Sequence, residues 1–154
     1  MEKVDLKSIL RDVVEQADSL KNKYTDAQRA LVNYACIFCQ NDEEYSSFIE
    51  TVKEIGKVVK ETEMGPVFQI EPIATIAGNL RLLKIRKPDV TRPERGDADF
   101  TVADYNGFKE KYLFQPGFKL LLKDNFEMIE LMEEGCDVRV YFSNPPLDKQ
   151  LGLF

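Results

Sequence analysis

Of the eight glycines in this 154-residue chain, seven lie after Met64, and so do all seven prolines. Both residue types interrupt regular structure, glycine through its backbone freedom and proline through its missing N–H. The first 64 residues therefore read as long uninterrupted elements, and residues 65–154 as short elements joined by many turns.

Within the first part, three apolar stripes recur at helical spacing. Leu6, Ile9, Leu10, Val13, Val14, Ala17 and Leu20 form one, with charged residues between them. Thr25 followed by Gln28 has capping-box spacing, and Ala27, Ala30, Leu31, Tyr34, Ala35 and Phe38 supply a second. Asn41 with Glu44 repeats the cap ahead of Tyr45, Phe48, Ile49, Val52, Ile55 and Val59, which Gly65 and Pro66 bring to a stop. The expectation is a three-helix unit over 1–64.

The second part alternates like a sheet. The run from Val67 to Gly78 is β-rich with a bend or edge at Pro72, and Gly78-Asn79 offers a hairpin turn into a strand from Leu80 to Arg86. Asp97 to Thr101 reads as a short strand. Thr101 and Asp104 then cap a helix bearing Tyr105, Phe108, Tyr112 and Leu113. Three more strands follow Gly117, separated by Asp124-Asn125 and Glu134-Gly135, which predicts an antiparallel meander. The expected fold is α+β: the N-terminal three-helix unit packed on a mostly antiparallel sheet of about five or six strands, with one further helix. No stretch of the sequence repeats another.

Hydrophobic residues make up 44% of the chain and charged residues 31%, which places it among folded globular proteins. No apolar run approaches the roughly 18 residues of a membrane span, and the N-terminus has no signal-peptide core, so a cytoplasmic protein without membrane contact is expected. Histidine is absent, which removes Ser-His-Asp and Cys-His catalysis and imidazole metal ligation. Three cysteines, an odd number, argue for free thiols. Cys36 and Cys39 have CxxC spacing but fall deep in the second predicted helix, where a buried inert pair is expected rather than a redox or metal site.

The net charge is −6, yet Asn79 to Arg95 carries Arg81, Lys84, Arg86, Lys87, Arg92 and Arg95 against only Asp89 and Glu94. A basic island in an acidic chain predicts a local anion contact, with Arg86, Lys87, Arg92, Arg95 and Tyr105 as the ligand-binding residues. Asp97, Asp99 and Asp104 follow at once. Two residues apart on a strand, Asp97 and Asp99 share a face and could hold Mg²⁺ or Mn²⁺, although pairing with Arg92 and Arg95 and no metal or cofactor is the simpler expectation.

These features predict a binding protein for a phosphate-bearing ligand, RNA or a nucleotide. Two alternatives stand beside it: a Mg- or Mn-dependent phosphodiesterase with Asp97, Asp99 and Asp104 as catalytic residues, and an adaptor. The adaptor would engage a protein partner through the helical unit or through the apolar C-terminal tail at Leu151, Leu153 and Phe154.

Overall fold

The computed structural model describes residues 5–154. Helix α1 (Leu6–Tyr24) opens it, with Asp5 as N-cap accepting the Lys7 amide at 3.1 Å. Two units of the same order follow. The first is β1 (Leu31–Phe38), α2 (Asp42–Lys53), β2 (Gly56–Lys60), β3 (Val67–Thr75) and β4 (Gly78–Arg86). The second is β5 (Gly96–Thr101), α3 (Tyr105–Tyr112), β6 (Phe118–Leu122), β7 (Glu127–Leu131) and β8 (Val138–Asn144), after which α4 (Leu147–Gln150) leads into the tail.

All eight strands form one mixed sheet in the order β2-β3-β4-β1-β5-β8-β7-β6. Within each unit the first strand runs parallel to the fourth, β1 with β4 and β5 with β8, and the other pairings are antiparallel. The units meet where β1 pairs antiparallel with β5. The repeat is thus one of topology.

The three-helix unit expected over 1–64 does not form. Thr25 ends α1 instead of starting a second helix, its hydroxyl donating to the Lys21 carbonyl at 2.9 Å and accepting the Ala27 amide at 3.1 Å. Residues 31–38, LVNYACIF, are then a strand. In a nearly continuous apolar run the helical and strand periods cannot be separated, and the β-branched and aromatic content favours the pleat. Asn41 caps α2 as its sequence indicated, accepting the Glu44 amide at 2.8 Å. However, the helix stops at Lys53 and the residues beyond it pair as β2. A Cβ on Gly56 would lie 2.3 Å from the Gln69 carbonyl, so this close approach of β2 to β3 needs glycine. The sheet is correspondingly larger than expected, and it is mixed: it stays mostly antiparallel, with β1–β4 and β5–β8 as its two parallel pairings. The strand at Asp97–Thr101, the helix capped by Asp104 and the C-terminal meander form as read.

Register sorts the central strands into two unlike faces. Ala35, Ile37, Leu83, Ile85, Ala98, Phe100, Val140 and Phe142 share the face covered by α1, α2 and α3, and all belong to the main core. Phe108 of α3 packs on Phe142 with ring centroids 4.4 Å apart. Lys21 of α1 is fully buried, donating to the Ala27 carbonyl at 2.6 Å and to Asn22 at 2.7 Å above the Phe100 ring. The opposite face carries Tyr34, Cys36, Lys84, Arg86, Asp97, Asp99 and Tyr141. Part of it is covered by α4 and the tail, where Leu147, Leu151 and Leu153 pack with Val67, Leu82, Val59 and Tyr34. No described helix is long and apolar enough to cross a membrane.

The junction of the two units is tight at Gly96. A Cβ there would sit 2.4 Å from the Cys36 carbonyl and 3.2 Å from the Val13 methyls of α1. Gly96→Ala is expected to destabilise the protein by about 1–3 kcal/mol through overpacking. A urea denaturation midpoint unchanged from wild type would show that β1 and β5 can separate without cost.

Candidate functional site

The open face holds a cleft of about 410 Å³ over the middle of the sheet. Strand β1 contributes Tyr34 and Cys36, β4 contributes Lys84 and Arg86, and β5 contributes Asp97. Glu130 of β7, Tyr141 of β8, Arg92 of the loop between β4 and β5 and Lys123 of the loop between β6 and β7 complete its polar lining. Across four adjacent strands Lys84, Cys36, Asp97 and Arg139 lie at one level. One step along, Tyr34, Asp99 and Tyr141 form the next row. Directly paired residues present their side chains to the same face, so strands drawn from distant parts of the sequence place these groups together.

Phe38 fixes the two cleft arginines. Its ring lies 4.3 Å from the Arg86 guanidinium carbon and 4.8 Å from that of Arg92. Arg92 also donates to Glu94 at 2.5 Å and to the Tyr141 hydroxyl at 3.3 Å. Glu94 is shared with Arg139 at 3.2 Å, while Glu130 accepts from Tyr141 at 2.8 Å and Arg139 at 3.3 Å. Arg86 is less well met. Its nearest carboxylate, Asp89, is 3.8 Å away, and its Nε is buried without a hydrogen-bond partner.

Two carboxyls lie under the cleft. Burial pushes Asp97 up to about 7, against the pull of Arg92, Arg86 and Lys84. Burial likewise pushes Asp99 up to about 7, opposed by a hydrogen bond from Ser143, and the other oxygen of Asp99 is buried unpaired. Burial raises the Cys36 thiol well above its usual range and Cys39 to about 12. Both thiols are buried as expected, but on and just beyond a strand, and Cys39 belongs to the helix-side core while Cys36 lines the cleft. They do not form a paired motif.

The other residues singled out in the sequence are dispersed. Arg95 lies on the helix side, where both guanidinium nitrogens engage Glu44 of α2 and one donates to the Phe38 carbonyl at 3.1 Å. Lys87 is exposed and does not line the cleft. Tyr105 is buried beneath α3 and donates to Glu127 at 2.9 Å. Asp104 caps α3 by accepting the Gly107 amide at 3.0 Å, and it borders a separate groove of about 880 Å³ between the α1–β1 loop and α3. Asp97 and Asp99 do share a face. They pair with neither Arg92 nor Arg95, whose carboxylates are Glu94 and Glu44. Among the described residues no three His, Cys, Asp or Glu side chains converge as a metal-ligand set. Lys84, Tyr34, Cys36, Glu130 and Tyr141 were not named as site residues. The period-two alternation of Leu82, Lys84 and Arg86 was the available signal for the first of them.

No protein-family model matches the sequence, and no curated protein matches it. Solved structures do resemble it in fold. The structural-genomics protein EC4020 superposes with a TM-score of 0.69 at 10% identity, over 99% of this chain and 97% of that one. A glyoxalase/bleomycin resistance protein/dioxygenase superfamily member from Vibrio splendidus 12B01 gives a TM-score of 0.43 at 10% identity, covering 74% and 97%. A triple mutant of 4-hydroxymandelate synthase from Streptomyces coelicolor gives 0.38 at 11% identity, covering 80% and 51%. The likeness to EC4020 extends over the whole two-unit sheet.

The fold and the placement of these residues overturn the phosphate-, RNA- or nucleotide-binding reading. Its five ligand residues are split between the cleft, the helix side of the sheet and solvent, so they form no single basic surface to track a phosphate backbone. The phosphodiesterase reading fails with the separation of Asp104 from Asp97 and Asp99, and the adaptor's helical unit is absent. The apolar tail packs on its own sheet, and Phe154 lies 3.8 Å from the Arg81 guanidinium.

Asp97 and Asp99 also make a pH signature. With folded values near 7 against about 3.9 unfolded, the native state holds more protons between those limits. Their contribution to stability is complete below about pH 4 and is lost as the pH rises through 7. Asp99→Asn should match wild type near pH 4 and exceed it at pH 8, by on the order of 2–4 kcal/mol. Parallel stability curves for the two proteins across pH 4–8 would show that Asp99 is ionised throughout.

Proposed function

We propose that the protein binds a small carboxylate-bearing molecule in the open-face cleft. The observation that carries this reading is Arg86, a guanidinium held against Phe38 in the cleft wall with its Nε buried and unpaired. A buried donor without an acceptor costs about 1–3 kcal/mol, which a ligand oxygen recovers on binding. A carboxylate suits the guanidinium because two oxygens match two N–H groups in one plane.

Charge and size narrow the ligand further. Lys84, Arg86, Arg92, Lys123 and Arg139 stand against Asp89, Glu94, Asp97 and Glu130 in and around the cleft. The balance is one positive charge when Asp97 is ionised, which fits a monoanion. The volume of about 410 Å³ is within the range of small-ligand sites, and Tyr34, Leu121, Phe126 and Met128 add apolar and aromatic wall to the polar groups.

Pyruvate and acetate are expected to raise the melting temperature, whereas acetamide, of similar shape but neutral, should not. Arg86→Ala should weaken carboxylate binding about 10- to 100-fold, the equivalent of one charge-assisted hydrogen-bond pair. Arg95→Ala should leave that affinity unchanged while lowering stability, since its guanidinium serves α2. Equal stabilisation by acetamide, or carboxylate binding unaffected in Arg86→Ala, refutes the assignment.

A further inference from the structure

Lys84 is the cleft group whose chemistry carboxylate binding alone does not use. It faces the cleft from β4, two residues before Arg86 on the same side of the strand. Unlike Arg92 and Arg139, it forms no ion pair among the described residues. Across the sheet it is flanked by Val67 on one side and Cys36 on the other, and beyond Cys36 lies Asp97. With strands about 4.8 Å apart, Lys84 and Asp97 are separated by two strand spacings, about 10 Å between Cα atoms. The small side chain between them leaves room over Cys36 for a ligand group reached from both sides.

We infer that Lys84 is a nucleophilic amine that forms a Schiff base with the carbonyl of a small 2-oxo acid, whose carboxylate is held by Arg86 and Arg92. This rests on the carboxylate reading of the same cleft and extends it to covalent chemistry. A lysine serves this role when it is desolvated and set beside other cations, because both favour the free amine. Burial lowers the Lys84 ammonium, and Arg86 and Lys60 push in the same direction. Asp97 opposes them when ionised. The Cys36 thiol, itself raised far by burial, stays neutral and does not hold the charge on Lys84.

The step balances without an oxidant or reductant. The Lys84 amine adds to the carbonyl carbon to form a C–N bond, one of its N–H protons passes to the former carbonyl oxygen to give a hydroxyl, and the C–O bond then breaks. The departing oxygen leaves as water, taking a proton from the Asp97 carboxylic acid, and the product is an iminium on Lys84 with Asp97 as carboxylate. The new positive charge thus replaces the ammonium charge that Lys84 gave up. It lies within reach of the Asp97 carboxylate formed in the same step.

The experiment incubates the intact protein with pyruvate and sodium cyanoborohydride, which reduces an iminium to a stable secondary amine, followed by intact mass measurement and peptide mapping. The expected result is one adduct per chain, located on Lys84. Lys84→Arg should lose that adduct, with circular dichroism confirming that it is folded. Arg86→Ala should keep Lys84 but lower the trapping yield at least tenfold. Mapping wild type alone decides the matter if a variant does not fold. Thermal stabilisation by pyruvate with no adduct overturns the Schiff base and leaves the carboxylate site standing. Neither stabilisation nor adduct overturns both, and adducts spread evenly over exposed lysines overturn the assignment to Lys84.

Discussion

The antiparallel pairing of β1 with β5 is the contact on which the rest of the molecule depends. It turns two separate four-stranded units into one eight-stranded sheet, and it puts the first strand of each unit side by side at the centre of that sheet. Because side chains alternate along each strand, that register also decides which residues meet. Slipping β5 by one residue would send Phe100 and Ala98 to the open face and bury Asp97 and Asp99 beneath α1. The apolar core and the polar cleft are therefore two consequences of one alignment, which explains why Gly96 leaves no room for a side chain at its start.

Placing charge at the centre of a sheet has a cost that the surrounding groups only partly offset. Glu94 and Glu130 are nearly buried, but each is met by arginine or tyrosine. Phe38 sets its ring against both guanidinium groups of Arg86 and Arg92, whose positive charges its electron-rich face attracts. Asp99 and Arg86 are the exceptions, each with an unpaired buried atom. A chain selected for stability alone would fill those positions with apolar residues of similar volume, since buried ion pairs rarely outperform them. The imperfection falls in the cleft wall and directly under it, and not in the helix-side core, which is the pattern on which the proposed binding site rests.

Local signals in the sequence were legible where they involve neighbours. Asn41 capping α2 and Asp104 capping α3 act over three residues, and the meander after Gly117 needs only alternation and turns. Strand β1 was not legible, because LVNYACIF is apolar enough on both sides to satisfy a helical stripe, and only its position between β4 and β5 makes it a strand. Charges were the harder case. Arg92 and Arg95 are neighbours in an apparent basic loop, yet one faces the cleft and the other meets Glu44, 51 residues earlier. Pairings of that span leave no local pattern. The repeated unit was equally hidden, since β1 and its counterpart β5, GDADFT, share a place in the topology and almost no residue chemistry.

That difference between counterparts bears on how the open face is divided between the cleft and its cover. The cleft spans both units, drawing Tyr34, Cys36, Lys84 and Arg86 from β1 and β4 and Asp97, Tyr141 and Glu130 from β5, β8 and β7, and beside it lies the β4–β3–β2 edge of the first unit. There, Val67, Leu82 and Val59 present an apolar surface, and the chain covers it with its own Leu147, Leu151 and Leu153. Asn33 and Asp148 fasten this cover by exchanging two hydrogen bonds, at 2.8 and 3.2 Å. Tyr34 belongs to both regions, packing on the tail side and lining the cleft on the other. The tail thus supplies the wall against which the cleft ends, and the residues left uncovered are the charged ones. With the apolar edge of the first unit closed by the chain's own tail, the groups left uncovered on this face are the charged ones where the two units meet.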